Sequence, residues 1–166
     1  MAKLIFHKKE EAQKEIVEQI QNLVASDKPL DLVLNETARL LKENFPKYNW
    51  VGFYLMNGEE LALGPYVGKP SPHTRIKLDS GICGAAVREE QTIIVPDVNT
   101  DPRYLSCSLE TKSEIVVPIR KEEKIVGEID IDSDELDAFD EQDKSFLEEL
   151  SKLLSPIFWK MDKWIS

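Results

Sequence analysis

The sequence predicts an α+β fold in which a central antiparallel sheet carries N- and C-terminal helices on one face. Three observations lead there. Apolar residues recur at helical spacing near both ends of the chain, the middle switches to strand-like runs, and those runs come in pairs joined by short turns. With 166 residues the chain can build one domain with a real core and is too short for two.

The first helix is expected over about residues 9–26, with Ile16, Val17, Ile20, Leu23 and Val24 on one face and Glu, Gln and Lys on the other. A second helix follows Asp27-Lys28-Pro29. Leu34, Ala38, Leu41 and Phe45 mark its buried stripe, and Pro46 ends it. Residues 49–56 (NWVGFYLM) and 60–67 (ELALGPYV) read as strands, and Asn57-Gly58 between them predicts a type I′ hairpin turn. GICGAAVREE, residues 81–90, reads as a short helix, and TIIV, residues 92–95, as a strand. Residues 96–112 form a polar loop with two prolines. Strands over 114–120 and 124–132 follow, joined by a charged turn at 121–123. The last helix is expected from Asp140, a plausible N-cap, to about residue 164, with Pro156 bending or splitting it. The single domain thus divides into helices over about 9–45, sheet and loops over 49–133, and a helix over 140–164.

Composition narrows the function. A net charge of −10 leaves nothing to neutralise a row of phosphates, so nucleic acid is not an expected partner. No apolar run has the length of a membrane span, and the N-terminal stretch turns charged too early for a secretory signal, so the chain is expected in the cytoplasm. Cys83 and Cys107 are then reduced thiols, to be read either as small buried hydrophobes or as a redox pair. With no CxxC, and with His7 and His73 as the only histidines, there is no recognisable zinc site, and no cofactor is expected.

The segment KIVGEIDIDS carries the most chemistry. Alternation along a strand puts Glu128, Asp130 and Asp132 on one side and Ile125, Gly127, Ile129 and Ile131 on the other. A solvated sheet face would explain the acids, but such a face usually mixes in Lys and Thr. Glu114 opens the neighbouring strand. If Glu114, Asp130 and Asp132 converge under a covering loop, repulsion and desolvation hold at least one of them protonated at neutral pH, able to donate to an S=O or C=O oxygen. Cys107 lies in the polar loop before Glu114, where a thiolate could attack an electrophilic sulfur if Arg103 or loop N–H groups offset the nearby acids. Cys83, between glycines at the start of a short helix, reads as a packed thiol or as a redox partner. Trp50 and Tyr54 share one side of a strand, as core or as walls around a small apolar group.

These motifs resemble the free methionine-R-sulfoxide reductases, which are single GAF domains. The matching elements run in order from about residue 49 to 147: NWVGFYL, LGPYVGK, TRI, GICG, VPDV, SEIVVP, IDIDS and FDEQD. The resemblance implies reduction of free L-methionine-(R)-sulfoxide, with Cys107 as nucleophile. It also implies that Glu114, Asp130 and Asp132 bind and protonate the sulfoxide, and that Trp50 and Tyr54 line the substrate pocket. The family's GxCG cysteine maps onto Cys83, which could form a disulfide with the oxidised nucleophile, although the family's resolving role belongs to a further cysteine ten residues earlier. The family commonly carries a third cysteine where this chain has His73, and the Cys107 loop departs from the usual pattern. Electrons would come from thioredoxin or a low-molecular-weight thiol, and a homodimer is allowed. The alternative is a non-catalytic GAF module that binds a small metabolite or nucleotide. A thiol-based oxidant sensor acting through Cys83 and Cys107 is a third reading.

Overall fold

Alternating apolar runs in the middle of the chain need neighbours to complete their hydrogen bonds, and in the computed structural model they find one another in a single sheet. The structure describes residues 2–106 and 108–161. In chain order the elements are α1 (Ala2–Ala25), α2 (Leu30–Asn44), β1 (Trp50–Asn57), β2 (Glu60–Val67), β3 (Arg75–Lys77), α3 (Gly81–Glu89), β4 (Ile93–Val95), β5 (Ser113–Lys121), β6 (Lys124–Ser133) and α4 (Glu141–Leu154). The six strands stand in the order β3-β2-β1-β6-β5-β4, and every neighbouring pair is antiparallel.

The sheet divides two cores. On one face α1, α2 and α4 bury Ile16, Ile20, Leu34, Leu41 and Leu147 against Phe53, Leu55, Ile115, Ile129 and Ile131. The helices at the two ends of the chain therefore do pack together on one side. On the other face α3 buries Ile82, Cys83, Ala85 and Ala86 against Tyr54 and Val116. That second core is small, so part of this face is free to form a site.

Several expected boundaries move for local reasons. α1 begins at Ala2 rather than near residue 9, because no Pro or Gly interrupts the preceding residues. The β1–β2 turn is centred on Gly58-Glu59, since Asn57 pairs with Glu60, and only Gly58 has positive φ (63°). A type I′ turn needs positive φ at both central residues; the pattern here is that of a II′ turn, which needs it only at the first. β3 was not expected: with Ile76 as its one buried residue, three residues are too few to display an alternation. In the long polar loop, Val98–Thr100 forms a 3₁₀ turn.

At the start of α4, Asp140 is the N-cap and closes a reciprocal box with Asp143. Asp143 also accepts from the Tyr48 hydroxyl at 2.5 Å and pairs with Lys9 at 3.0 Å, which ties three segments together. α4 ends at Leu154, and Ser155–Met161 continues as a 3₁₀ helix, the split that Pro156 imposes. No helix among the described residues is long and apolar enough to cross a membrane.

Candidate active site

β6 sits between β1 and β5, so its register sets the site. Asp132 lies opposite Trp50 on one side and Glu114 on the other, Asp130 opposite Gly52 and Val116, and Glu128 opposite Tyr54 and Pro118. Cross-strand partners share a face. All the acids, the two aromatics and Glu114 therefore point to the side of the sheet that α3 covers. Glu114 is 3%, Asp130 2%, Asp132 4% and Glu128 0% exposed. A solvated strand face is excluded by those values.

Burial without full hydrogen bonding shapes the charge state. Both oxygens of Glu128 and the Oδ1 atoms of Asp130 and Asp132 have no hydrogen-bond partner among the described residues. Desolvation is the main influence on each, and it favours the neutral acid. It raises Glu128 well above the usual carboxyl range. It does the same to Asp130, with repulsion from Asp132 and Glu128 adding to it. Asp132 is raised to about 6, held back by a hydrogen bond with Glu114. The face can therefore supply a proton at neutral pH.

Cys83 projects from α3 onto the same cluster, with Sγ 3.5 Å from Asp130 Oδ2. Burial first, then repulsion from Asp130, Glu128 and Glu114, push its thiol pKa well up. Cys83, Glu114 and Asp130 bring one ligand atom each to within 4.8 Å of one another. Metal ligation would require ionising the thiol and both carboxyls. Burial drives Cys83 and Asp130 the other way, so the cluster is better suited to holding protons.

Above the acids lies a cavity of about 380 Å³, lined among others by Trp50, Lys69, Ser108, Glu110, Asp130 and Asp132. Its size suits a small molecule. Trp50 forms one wall. Its indole stacks on Tyr66 with ring centroids 5.5 Å apart and donates from Nε1 to the Lys69 carbonyl at 2.9 Å. Gly52 makes room for it, because a Cβ there would come within 2.6 Å of Trp50 Cζ3. Tyr54 stands behind this wall at 1% exposure, its hydroxyl donating to the His73 carbonyl at 2.9 Å. A second, much smaller cavity of about 10 Å³ touches Cys83, Glu114 and Asp130.

Of the residues singled out in the sequence, Trp50, Asp130 and Asp132 thus meet around the larger cavity, and Cys83, Glu114 and Asp130 around the smaller. Cys107 lies outside the described residues. Its chain neighbour Ser108 lines the larger cavity. Arg103 is engaged elsewhere: its guanidinium makes two hydrogen bonds to Asp101, at 3.0 and 2.7 Å, and lies 3.5 Å from Glu89. Glu128, which strand alternation had already placed on the side of Asp130 and Asp132, joins the buried cluster although it was not named as a site residue. One further residue, His73, was not foreseen as part of the site. His73 reaches the Ser106 carbonyl with Nε2 at 2.7 Å, a contact between distant loops that no spacing reveals.

The GAF domain family model matches residues 29–156. A free methionine-R-sulfoxide reductase of Escherichia coli is 34% identical over 140 residues, covering 84% of each chain. The chain belongs to the free methionine-R-sulfoxide reductase family. As a member of that family it is an oxidoreductase. GAF domain-containing protein A of Dictyostelium discoideum is 43% identical over 147 residues, 88% of this chain and 92% of that one. The X-ray structure of the family member from Neisseria meningitidis, in complex with its substrate, superposes with a TM-score of 0.85 at 38% identity and covers 92% of this chain and 91% of that one. The α+β architecture expected from the sequence is the GAF fold of these reductases.

Proposed function

We propose that this chain reduces free L-methionine-(R)-sulfoxide to methionine, with Cys107 as nucleophile and the buried acids as proton source. The observation that carries the reading is the set of desolvated carboxyls at the floor of a Trp50-walled cavity, under the loop that bears Cys107. A sulfoxide oxygen needs a hydrogen-bond donor, and a carboxylic acid kept neutral by burial is one. The indole offers an apolar surface to the S-methyl group. The ionised Glu110 and the cations Lys42 and Lys69, which also line the cavity, suit both charges of a free amino acid.

In the first half-reaction the Cys107 thiolate attacks the sulfoxide sulfur while Asp130 or Asp132 protonates the oxygen. The oxygen then passes to the Cys107 sulfur as the transient S–S bond and the methionine S–O bond break, so methionine leaves with its sulfur reduced by two electrons and Cys107, oxidised by two, becomes a sulfenic acid. A reducing thiol then displaces water to form a mixed disulfide, and a second thiol releases Cys107. A low-molecular-weight thiol or thioredoxin serves in the cytoplasm. Cys83, buried with a raised pKa, is a poor candidate for resolving the sulfenic acid.

Cys107→Ser tests the assignment directly. With dithiothreitol and methionine-R-sulfoxide, the wild type should turn over and Cys107→Ser should show no activity above buffer. A variant that keeps wild-type turnover overturns the mechanism.

A further inference from the structure

The loop that carries Cys107 is long and polar; Val98, Tyr104 and Leu105 tie its first half to the smaller core, and the residues that follow depend more on polar contacts. Two side chains from the β2–β3 connection reach that loop. Lys69 pairs with Glu110 at 2.9 Å, three positions beyond the cysteine, with both side chains more than half exposed. Exposed pairs of this kind hold a geometry weakly, at about 0–1 kcal/mol. His73 reaches the carbonyl of Ser106, the residue immediately before Cys107, at 2.7 Å. A carbonyl only accepts, so Nε2 carries the proton in either the neutral tautomer or the imidazolium.

His73 is itself held on both sides of its Cα. Its N–H donates to Ser71 Oγ at 3.1 Å, and its carbonyl accepts from Tyr54, whose ring is locked in the buried face of β1. One residue therefore links a rigid strand to the peptide next to the thiol. We propose that His73 is a positioning residue for the reaction, anchoring the Ser106–Cys107 peptide to the sheet through its imidazole N–H. This rests on the reading of Cys107 as nucleophile. A misplacement of about 1 Å at a reacting atom can cost on the order of a hundredfold in rate, so the anchor bears on the chemical step more than on folding.

Two measurements on full-length wild type, His73→Ala and His73→Gln test it. Gln keeps an N–H at comparable reach, whereas Ala does not. The first is the single-turnover rate of Cys107 oxidation by methionine-R-sulfoxide, read by mass spectrometry. His73→Ala should be slower by at least about tenfold and His73→Gln should recover most of the loss, with Tm unchanged in both. The second is amide hydrogen exchange in residues 101–112, which needs no sulfoxide chemistry. Exchange should quicken in His73→Ala and return towards wild type in His73→Gln. Equal exchange in all three proteins, or equal oxidation rates in an active wild type, overturns the proposal. A wild type inert to sulfoxide sinks the reductase reading instead, and the exchange result still judges the anchor.

Discussion

The Cys83 thiol donates to Asp130 at 3.5 Å inside a wholly buried cluster, where a charged Asp130 would make ionisation of the thiol harder while the thiol's hydrogen bond favours the charged form of Asp130. A thiolate there would stand among Asp130, Glu128 and Glu114, all of which repel it. Cys83 should therefore stay a thiol while Cys107 turns over. With stoichiometric sulfoxide and no reductant, dimedone should label Cys107, and Cys83→Ser should keep its activity with dithiothreitol. A quantitative Cys83–Cys107 disulfide without a dimedone adduct would contradict this.

Asp132 links activity to pH and to stability. Its folded pKa of about 6 lies above its ordinary value of 3.8, so the native state binds more protons than the unfolded chain between those values. Its contribution therefore weakens the fold as pH rises from about 4 through 6 and costs most above that. Asp132→Asn should melt above wild type at pH 7, with the gap closing towards pH 4. The same variant should lose on the order of 10²–10⁴ in turnover. A Tm gap independent of pH would mean that the carboxyl is solvated like a surface acid.

Gly52 tests the wall of the cavity. A methyl group at this position meets Trp50 and also Tyr66 Cβ, at 2.9 Å, so the indole that walls the pocket must shift. Gly52→Ala should raise KM for the sulfoxide by about tenfold or more with kcat less affected. Unchanged KM would remove Trp50 from substrate binding.

Fold stability rests in part on Asp143, which is 1% exposed and accepts from Tyr48, Lys9 and the Asp140 N–H. Removing it leaves buried donors unpaired. Asp143→Ala should lower unfolding free energy by about 2–4 kcal/mol, read by urea titration at constant m-value, while the folded fraction keeps its activity. A loss below 0.5 kcal/mol would make this knot ornamental.

Strand alternation in KIVGEIDIDS placed Asp130 and Asp132 on the face opposite Ile129 and Ile131, and the helical stripes near both ends of the chain placed the larger core. Both depend on local periodicity, which a chain displays openly. The II′ geometry at Gly58 turns on where β1 and β2 come into register, a property of the pair. The contact between His73 and Ser106 joins segments 33 residues apart through a single hydrogen bond, and no pattern in either segment announces it. Trp50 and Tyr54 look equivalent by spacing. Yet only Trp50 lines the larger cavity, because α3 covers the part of the sheet that holds Tyr54.

The central claim is stereospecific reduction of the free amino acid. NMR of racemic-at-sulfur free methionine sulfoxide, incubated with the protein and dithiothreitol, follows both epimers in one sample. The R epimer should disappear as methionine appears, while the S epimer persists unchanged. Persistence of the R epimer, or equal loss of both, would contradict the account.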